Sequence, residues 1–419
     1  MKFDRLAIGK AIAICSLILL IFSAEVIGAT YYVAPTGSDS NPGTNTAPFR
    51  NIQKAADIVS QGDTVIVKNG NYYDHDSDNW VLEINRGGTS NNIITFRAEN
   101  IHGAVIDGEN QTTGYGIGIK APYIRIEGFE VKNLYSHGAM VKEGAYEVMF
   151  YQNKIHHIGY VDDESQSGHV GIYTSPYVYA VTFDRNILYD IGRNDTGCEH
   201  CYRHDQGLYV HGRKIVITNN IFYNFFAGWS VSIRGHYGVA GNTPTHIVTN
   251  NTFAHDANPD KEIIGHMNFF VSSGHNRMKN VIVQNNVFYN PNGNSAIRIQ
   301  CGISPEGTNI IRNNVTDTPY VASEDLGSCV TNYVTLSNNV KSLPLTSFGI
   351  SDPGKNNFTL TSSSSYMIDK GYAVDAPNHD YKGISRPKNN KYDIGAYEYV
   401  DSDQSAEAPG PPEGLRVLQ

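Results

Sequence analysis

Ile217-Thr-Asn-Asn-Ile-Phe222 is echoed downstream by Val283-Gln-Asn-Asn-Val-Phe288 and by Ile311-Arg-Asn-Asn-Val315. The second asparagine of each copy belongs to a longer series: Asn153, Asn186, Asn220, Asn251, Asn286, Asn314 and Asn339. Gly128, in Ile126-Glu-Gly-Phe129, holds the same place one copy earlier. The steps are 25, 33, 34, 31, 35, 28 and 25 residues. A unit of that size recurring along a chain means a repeat architecture.

Each unit carries a second apolar-alternating stretch: Gly116-Ile-Gly-Ile-Lys120, Gly138-Ala-Met-Val-Lys142, Gly171-Ile-Tyr-Thr-Ser175, Gly207-Leu-Tyr-Val-His211, Ser230-Val-Ser-Ile-Arg234, Asn268-Phe-Phe-Val-Ser272 and Ala296-Ile-Arg-Ile-Gln300. Period-two alternation reads as strands with one buried face. No amphipathic helix fits between them, which argues against βαβ units and against leucine-rich, ankyrin and tetratricopeptide repeats. The expected fold is all-β: a right-handed parallel β-helix, one coil per repeat. The asparagines then belong to tight turns, where a left-handed backbone suits Asn, and their amides can bond up the stack. Leu188, Phe222, Phe253 and Phe288 recur two residues later and should stack inside.

The chain has 419 residues, 40% hydrophobic and 17% charged, with a net charge of −9. That is ample for one elongated domain, and the acidic balance argues against a nucleic-acid partner. Residues 1–29 read as an export signal: Lys2, Arg5 and Lys10 precede a 12-residue apolar run, Ala11 to Phe22, and small residues follow at Gly28 and Ala29. The run is too short for a good membrane span. The chain is expected to be secreted, extracellular or periplasmic, with no stable membrane span after cleavage, and monomeric. In that setting Cys198, Cys201, Cys301 and Cys329 suggest two disulfides. Cys301 and Cys329 lie about one coil apart, and Cys198 and Cys201 would close a small loop. Zinc on that loop, with His200 and His204, lacks the usual distant second ligand pair.

The first coil needs a cover, because open sheet edges aggregate. Phe49, Ile52, Ala55, Ala56 and Val59 have helical spacing and should plug it, ahead of strands at Thr64-Val67, Ile93-Phe96 and Ala104-Ile106. The pattern loosens after Asn339. Asp393-Ile-Gly-Ala-Tyr-Glu-Tyr399 reads as a last strand, and residues 401–419, acidic and then proline-rich, as a disordered tail. The β-helix domain is thus placed at 30–400.

Thr30-Tyr-Tyr-Val-Ala-Pro-Thr-Gly-Ser-Asp-Ser-Asn-Pro-Gly43, Ile52-Gln-Lys-Ala-Ala56, Gly62-Asp-Thr-Val-Ile-Val67 and Gly70-Asn-Tyr72 resemble the opening of secreted right-handed β-helix proteins of the pectate-lyase-like superfamily. Asp393-Ile-Gly-Ala-Tyr-Glu398 is similar to the end of many bacterial members. The resemblance implies polysaccharide lyases, uronan epimerases, glycoside hydrolases and some members without known activity.

Aligned on their leading residue, the strands point positions one and three inward and two and four to solvent. The fourth position reads Lys120, Lys142, Ser175, His211, Arg234, Ser272 and Gln300, and the second Gly118, Met140, Tyr173, Tyr209, Ser232, Phe270 and Arg298. Coils about 4.8 Å apart turn these into two stripes rich in bases and free of carboxylates on an acidic protein. Such a face suits an acidic polysaccharide. Two residues before the strand leads sit His169, Asp205 and His266. Insertions at 159–167, 193–203, 236–245 and 254–265 fall near this edge, the usual place for a binding cleft.

The chemistry that fits is β-elimination from a uronate such as alginate or pectate. Arg234 and Lys142 are candidates to bind the carboxylate, His211 to take the C5 proton, and Tyr209 or Tyr173 to protonate the leaving oxygen. Lys120, Tyr173, His169, His266 and Arg298 are candidate substrate contacts. The resemblance implies that Lys or Arg can serve as base with calcium, which makes Lys142 the rival base. Asp205, Asp195 and Asp162-Asp-Glu164 could supply oxygen ligands to calcium. The alternatives are a C5-epimerase, a non-catalytic carbohydrate-binding protein, or a glycoside hydrolase, which needs two carboxylates where only Asp205 lies near the stripes.

Overall fold

A computed structural model describes residues 28–160, 168–193, 204–225, 228–235, 246–256, 265–271, 277–300, 303–323, 333–389 and 391–401. Residues 1–27, Cys198, Cys201, Cys301 and Cys329, most of the insertions, Ser272 and residues 402–419 lie outside them.

Among the described residues the strands stack into three long parallel sheets, with eleven strands in sheet A and nine each in sheets B and C. Successive strands visit A, B and C in turn, so each circuit is one coil of a right-handed β-helix. One circuit is Tyr146–Tyr151 in sheet A, Lys154–Ile158 in sheet B and Val170–Thr174 in sheet C. Sheet C carries the alternating stretches read from the sequence. The inner faces form one continuous core, in which Phe222, Phe253 and Phe288 stack with centroids 4.8 and 4.9 Å apart and Leu188 lies buried in the same row.

The seven asparagines occupy the sharp turn between sheets A and B and form an unbroken ladder. From Asn153 to Asn314, each backbone N–H and each side-chain amide donates to the Oδ1 of the next asparagine, at 2.8–3.1 Å. The amide also donates to a carbonyl one coil back, as from Asn220 to Phe183. Asparagine suits the place because one short buried side chain must accept through its oxygen and donate through two N–H groups. The left-handed conformation, however, lies one residue earlier, at Gln152, Arg185, Asn219, Asn250, Asn285, Asn313 and Asn338. Gly128 is one of these left-handed residues (φ 76°), so Phe129, not Gly128, aligns with the ladder. The Phe129 N–H donates to Asn153 and closes the ladder's end.

Four residues after each of Asn153, Asn186, Asn220, Asn251 and Asn286 lies a second left-handed row: His157, Asp190, Asn224, His255 and Asn290. Its residue types are those that tolerate this conformation. The row was readable as a fixed offset from the anchors.

The plug is helix Ile52–Ala56, shorter than the apolar spacing implied, with Phe49, Ile52, Ala55, Ala56 and Val59 all buried. Val340 adds a last parallel bridge to Val315 in sheet B, and the described residues after it, to 400, do not extend the helix. They fold back over the outer face of sheet B, where Phe348, Phe358, Met367, Ile394 and Ala396 pack on Ile221, Ala254, Val287 and Val315 as a second core. The segment Asp393–Tyr399 is an irregular buried turn, not the strand expected from its alternation. The Asp393 carboxylate accepts the N–H groups of Asp369 and Tyr399. Gly395 (φ 100°) presses on Val287, where a Cβ would lie 2.9 Å from a methyl carbon.

Candidate functional site

The outer face of sheet C is built from three columns. The strand pairing aligns Glu83, Gly118, Met140, Tyr173, Tyr209, Ser232, Asn268 and Arg298 in the central one. Trp80, Tyr115, His137, Val170, Gln206 and Trp229 form a second, and Lys120, Lys142, Ser175, His211, Arg234 and Phe270 the third. The frame read from sequence holds except at one coil. Ser232 pairs with Asn268 and Arg234 with Phe270, so Phe270 belongs to the fourth-position stripe. The coil was read two residues late because Met267-Asn-Phe-Phe alternates equally well in either frame.

This slip misplaces His266. It stands where other coils have Gly171, Gly207 or Ser230 and points into the core, with 0% exposure. Its ring meets Ser230 Oγ at 3.3 Å and the Tyr289 carbonyl at 3.3 Å. It is not a surface contact.

Lys120 and Lys142 lie at one end of the face, and there the expectation of a carboxylate-free stripe fails. Glu83 Oε1 receives both ammonium groups, at 2.8 and 2.9 Å. Gly118, between Glu83 and Met140 in the column, has no side chain to screen it. The Lys142 ammonium also lies 3.7 Å from the Trp80 ring centroid, and Trp80 stacks on Tyr115 at 4.3 Å. Paired lysines draw the Glu83 carboxyl below its ordinary range, against the burial that raises it. Lys142 is thus committed here, two coils from His211. The sequence reading missed Glu83 because its strand, Trp80–Ile84, precedes the first copy recognised.

At the other end Tyr173, Tyr209, His211, Arg234 and Phe270 come together. An Arg234 Nη1–H donates to the Tyr209 hydroxyl, and the guanidinium lies 4.3 Å from the Phe270 ring centroid. Among the described residues no carboxylate pairs with Arg234, and its Nε is buried without a hydrogen-bond partner. Burial pushes the Tyr209 phenol up to about 12, against the lowering effect of Arg234, so it stays protonated. Tyr173 is raised in the same way. His211 was expected in solvent and is 3% exposed, its ring 4.7 Å from Tyr209 and 5.7 Å from Tyr173 by centroids. The two tyrosines cover it, and its N–H bonds Thr174 Oγ1. Arg298 lies 5.5 Å from the Trp229 ring centroid.

His169 and Asp205 are structural neighbours of the face. Asp205 is 0% exposed and accepts four hydrogen bonds, from Arg193 Nη2 at 2.7 Å, Arg193 Nε at 2.9 Å, and the N–H groups of Arg193 and His169 at 2.8 and 2.9 Å. Those donors account for its carboxylate without a metal. A better oxygen set is Asp74, Asp76 and Asp78, whose carboxylates come within 4.8 Å of one another beside Trp80. Hard oxygen ligands of this kind suit calcium. The sequence shows the set as Asp74-His-Asp-Ser-Asp78.

Three histidines, His156 and His266 buried and His137 half-buried on sheet C, give the fold a pH dependence. Burial lowers His137 to about 4, helped by the nearby His169, and lowers His156 to about 4 and His266 to about 3. Between pH 6.5 and 4 the unfolded chain therefore binds more protons than the folded one, and stability falls as pH falls. Each histidine contributes about 1.4 kcal/mol per pH unit. Glu398, pushed up to about 7 by burial, acts in the opposite sense, joined at the acid end by the raised carboxyls of Glu147, Asp190, Asp317 and Asp393, while burial also lowers His102 and adds to the histidine side. Urea midpoints measured from pH 7 to pH 4 should fall steadily; a constant midpoint contradicts the assignment.

Comparison with known proteins places the fold. A model of the Pel9A-like right-handed β-helix region matches residues 31–176. The chain is 34% identical over 102 residues, 24% of its length, to uncharacterized protein YwoF of Bacillus subtilis (strain 168), and 34% identical over 84 residues to pectate lyase PEL9 of Emericella nidulans. Each match spans 20% of the relative's own length. The crystal structure of pectate lyase Pel9A superposes with a TM-score of 0.53 at 15% identity, over 89% of this chain and 96% of that one, a likeness of fold.

Proposed function

We propose that this chain, whose right-handed β-helix is like that of pectate lyase Pel9A, is a secreted polysaccharide lyase that cleaves a uronate-containing polysaccharide by β-elimination on the outer face of sheet C. The observation that carries this reading is Arg234, a half-buried guanidinium with no carboxylate partner among the described residues, set among Tyr209, Tyr173 and Phe270. Keeping an uncompensated charge partly desolvated is costly, and the carboxylate of a uronate would supply the missing partner in bidentate geometry.

The steps follow from the positions. Arg234 neutralises the sugar carboxylate and the charge that develops on it as C5 loses its proton. His211 lies beneath Tyr173 and Tyr209 and takes that proton once those two side chains move off its ring. The electron pair forms the C4–C5 double bond and the C4–O bond breaks. Tyr209, held protonated, delivers a proton to the leaving oxygen. Asp74, Asp76 and Asp78 are the residues that would hold calcium, which would add positive charge near the Trp80 end.

A hydrolase is less well supported. Among the described residues of the three columns, Glu83 is the one carboxylate, and it is bound by two lysines. Incubation of the purified chain with polygalacturonate and alginate, with and without calcium, should release products with the ultraviolet absorbance of an unsaturated uronate. Deuterium uptake from solvent without that absorbance makes the chain an epimerase, and neither signal sinks the reading.

A further inference from the structure

We propose that Ser232 and Asn268 form a sugar subsite that reads two neighbouring free hydroxyl groups on the unit adjoining the one held by Arg234. The inference rests on the reading of sheet C as a uronan-binding face. Ser232 and Asn268 are direct neighbours in the central column, between Tyr209 and Arg298. Both stand on the outer side of the sheet, yet they are 0% and 1% exposed. Neither Ser232 Oγ nor Asn268 Oδ1 has a hydrogen-bond partner.

A buried polar atom without a partner costs about 1–3 kcal/mol, and native structures hold few of them. Other buried polar atoms among the described residues also lack a partner, Gln111 Oε1, Thr218 Oγ1 and Asn219 Oδ1 among them, but none of those stands in the central column of sheet C. Thr174 Oγ1 donates to the His211 carbonyl and accepts its N–H, and the ladder amides are bonded on both sides. Two unsatisfied groups side by side, next to a guanidinium that also lacks a partner at Nε, are therefore hydrogen-bonding capacity awaiting a ligand.

The groups select its chemistry. A carboxamide offers an acceptor beside two donors, whichever way round its O and N stand. Vicinal hydroxyls match it, one donating to the oxygen and one accepting from the nitrogen, and Ser232 can bond either. A carboxylate has no proton to give the Asn268 oxygen and belongs instead on Arg234, two residues along the strand from Ser232. An O-acetyl group on either hydroxyl removes a donor and adds bulk where the coils lie about 4.8 Å apart. The subsite should thus favour chains whose hydroxyls are free.

Isothermal titration with polygalacturonate oligosaccharides, before and after chemical O-acetylation, tests this on the parent chain and on Ser232→Ala, Asn268→Ala and Asn268→Leu. Each substitution should weaken binding of the free-hydroxyl ligand about tenfold, and acetylation should weaken the parent by a similar factor. Melting temperatures should stay level or rise, because a buried group without a partner is being removed. Variants that bind within twofold of a parent that binds well overturn this inference alone. So does a fall of several degrees in melting temperature, which would mark the pair as structural. A parent that binds no oligosaccharide overturns it together with the reading on which it rests.

Discussion

Arg234→Ala is expected to lower kcat/KM for uronan cleavage by about 10²–10³-fold, the usual loss when one preorganised group facing developing charge is removed. The fold should survive, because Arg234 makes one hydrogen bond to a side chain, the Tyr209 hydroxyl, and is half-buried at the surface of sheet C. Arg234→Lys keeps the charge but loses the planar fork and should recover only part of the rate. Loss of the Tyr209 contact also releases the phenol, so substrate affinity should suffer alongside turnover. Lys142→Met serves as the comparison. That lysine already neutralises Glu83 with Lys120, so its removal should change cleavage far less. Equal losses in the two variants, measured by initial rates, would refute the split of the basic stripe into a paired end and an unpaired end.

Asp205→Ala is expected to lower the unfolding free energy by about 3–5 kcal/mol, the range for breaking a buried ion pair from one side. Arg193 is 2% exposed and loses a bidentate partner, and the His169 N–H loses its acceptor. For a chain with ordinary stability that is a large share of the total, so expression and urea midpoint should both fall sharply. If Asp205 were a metal ligand, its removal would instead abolish a calcium-dependent rise in stability and leave the metal-free midpoint nearly unchanged. Urea titration with and without calcium separates the two.

The repeat was legible because a fold built of stacked coils writes its period into the chain. The asparagines could be read as turn residues, and a carboxamide supplies the two N–H donors and the doubly accepting oxygen that each step of the ladder uses. Their neighbours, not they, carry the left-handed backbone, and spacing alone could not tell one residue from the next. The inward row of Leu188, Phe222, Phe253 and Phe288 was equally plain.

Register failed where the pattern is degenerate. Met267-Asn-Phe-Phe offers apolar residues to both faces, so only pairing with Val231–Arg234 fixes the frame. That two-residue slip turned the buried His266 into a surface candidate and removed Asn268 from the column where it now matters. Glu83 was missed because its strand lies ahead of the first clear copy. Residues 341–400 carry no period at all, because they pack as irregular chain against sheet B. The burial of His211 was not readable from alternation, which says that a side chain points outward but not what packs over it.

A crystal structure of the chain with a bound oligogalacturonate tests the central claim most directly. The sugar chain should lie across the coils of sheet C, with one carboxylate in bidentate contact with Arg234, the leaving oxygen within hydrogen-bond reach of Tyr209, and C5 turned toward His211. An oligosaccharide seated on sheet A or sheet B, or one on sheet C with no carboxylate at Arg234, would contradict it.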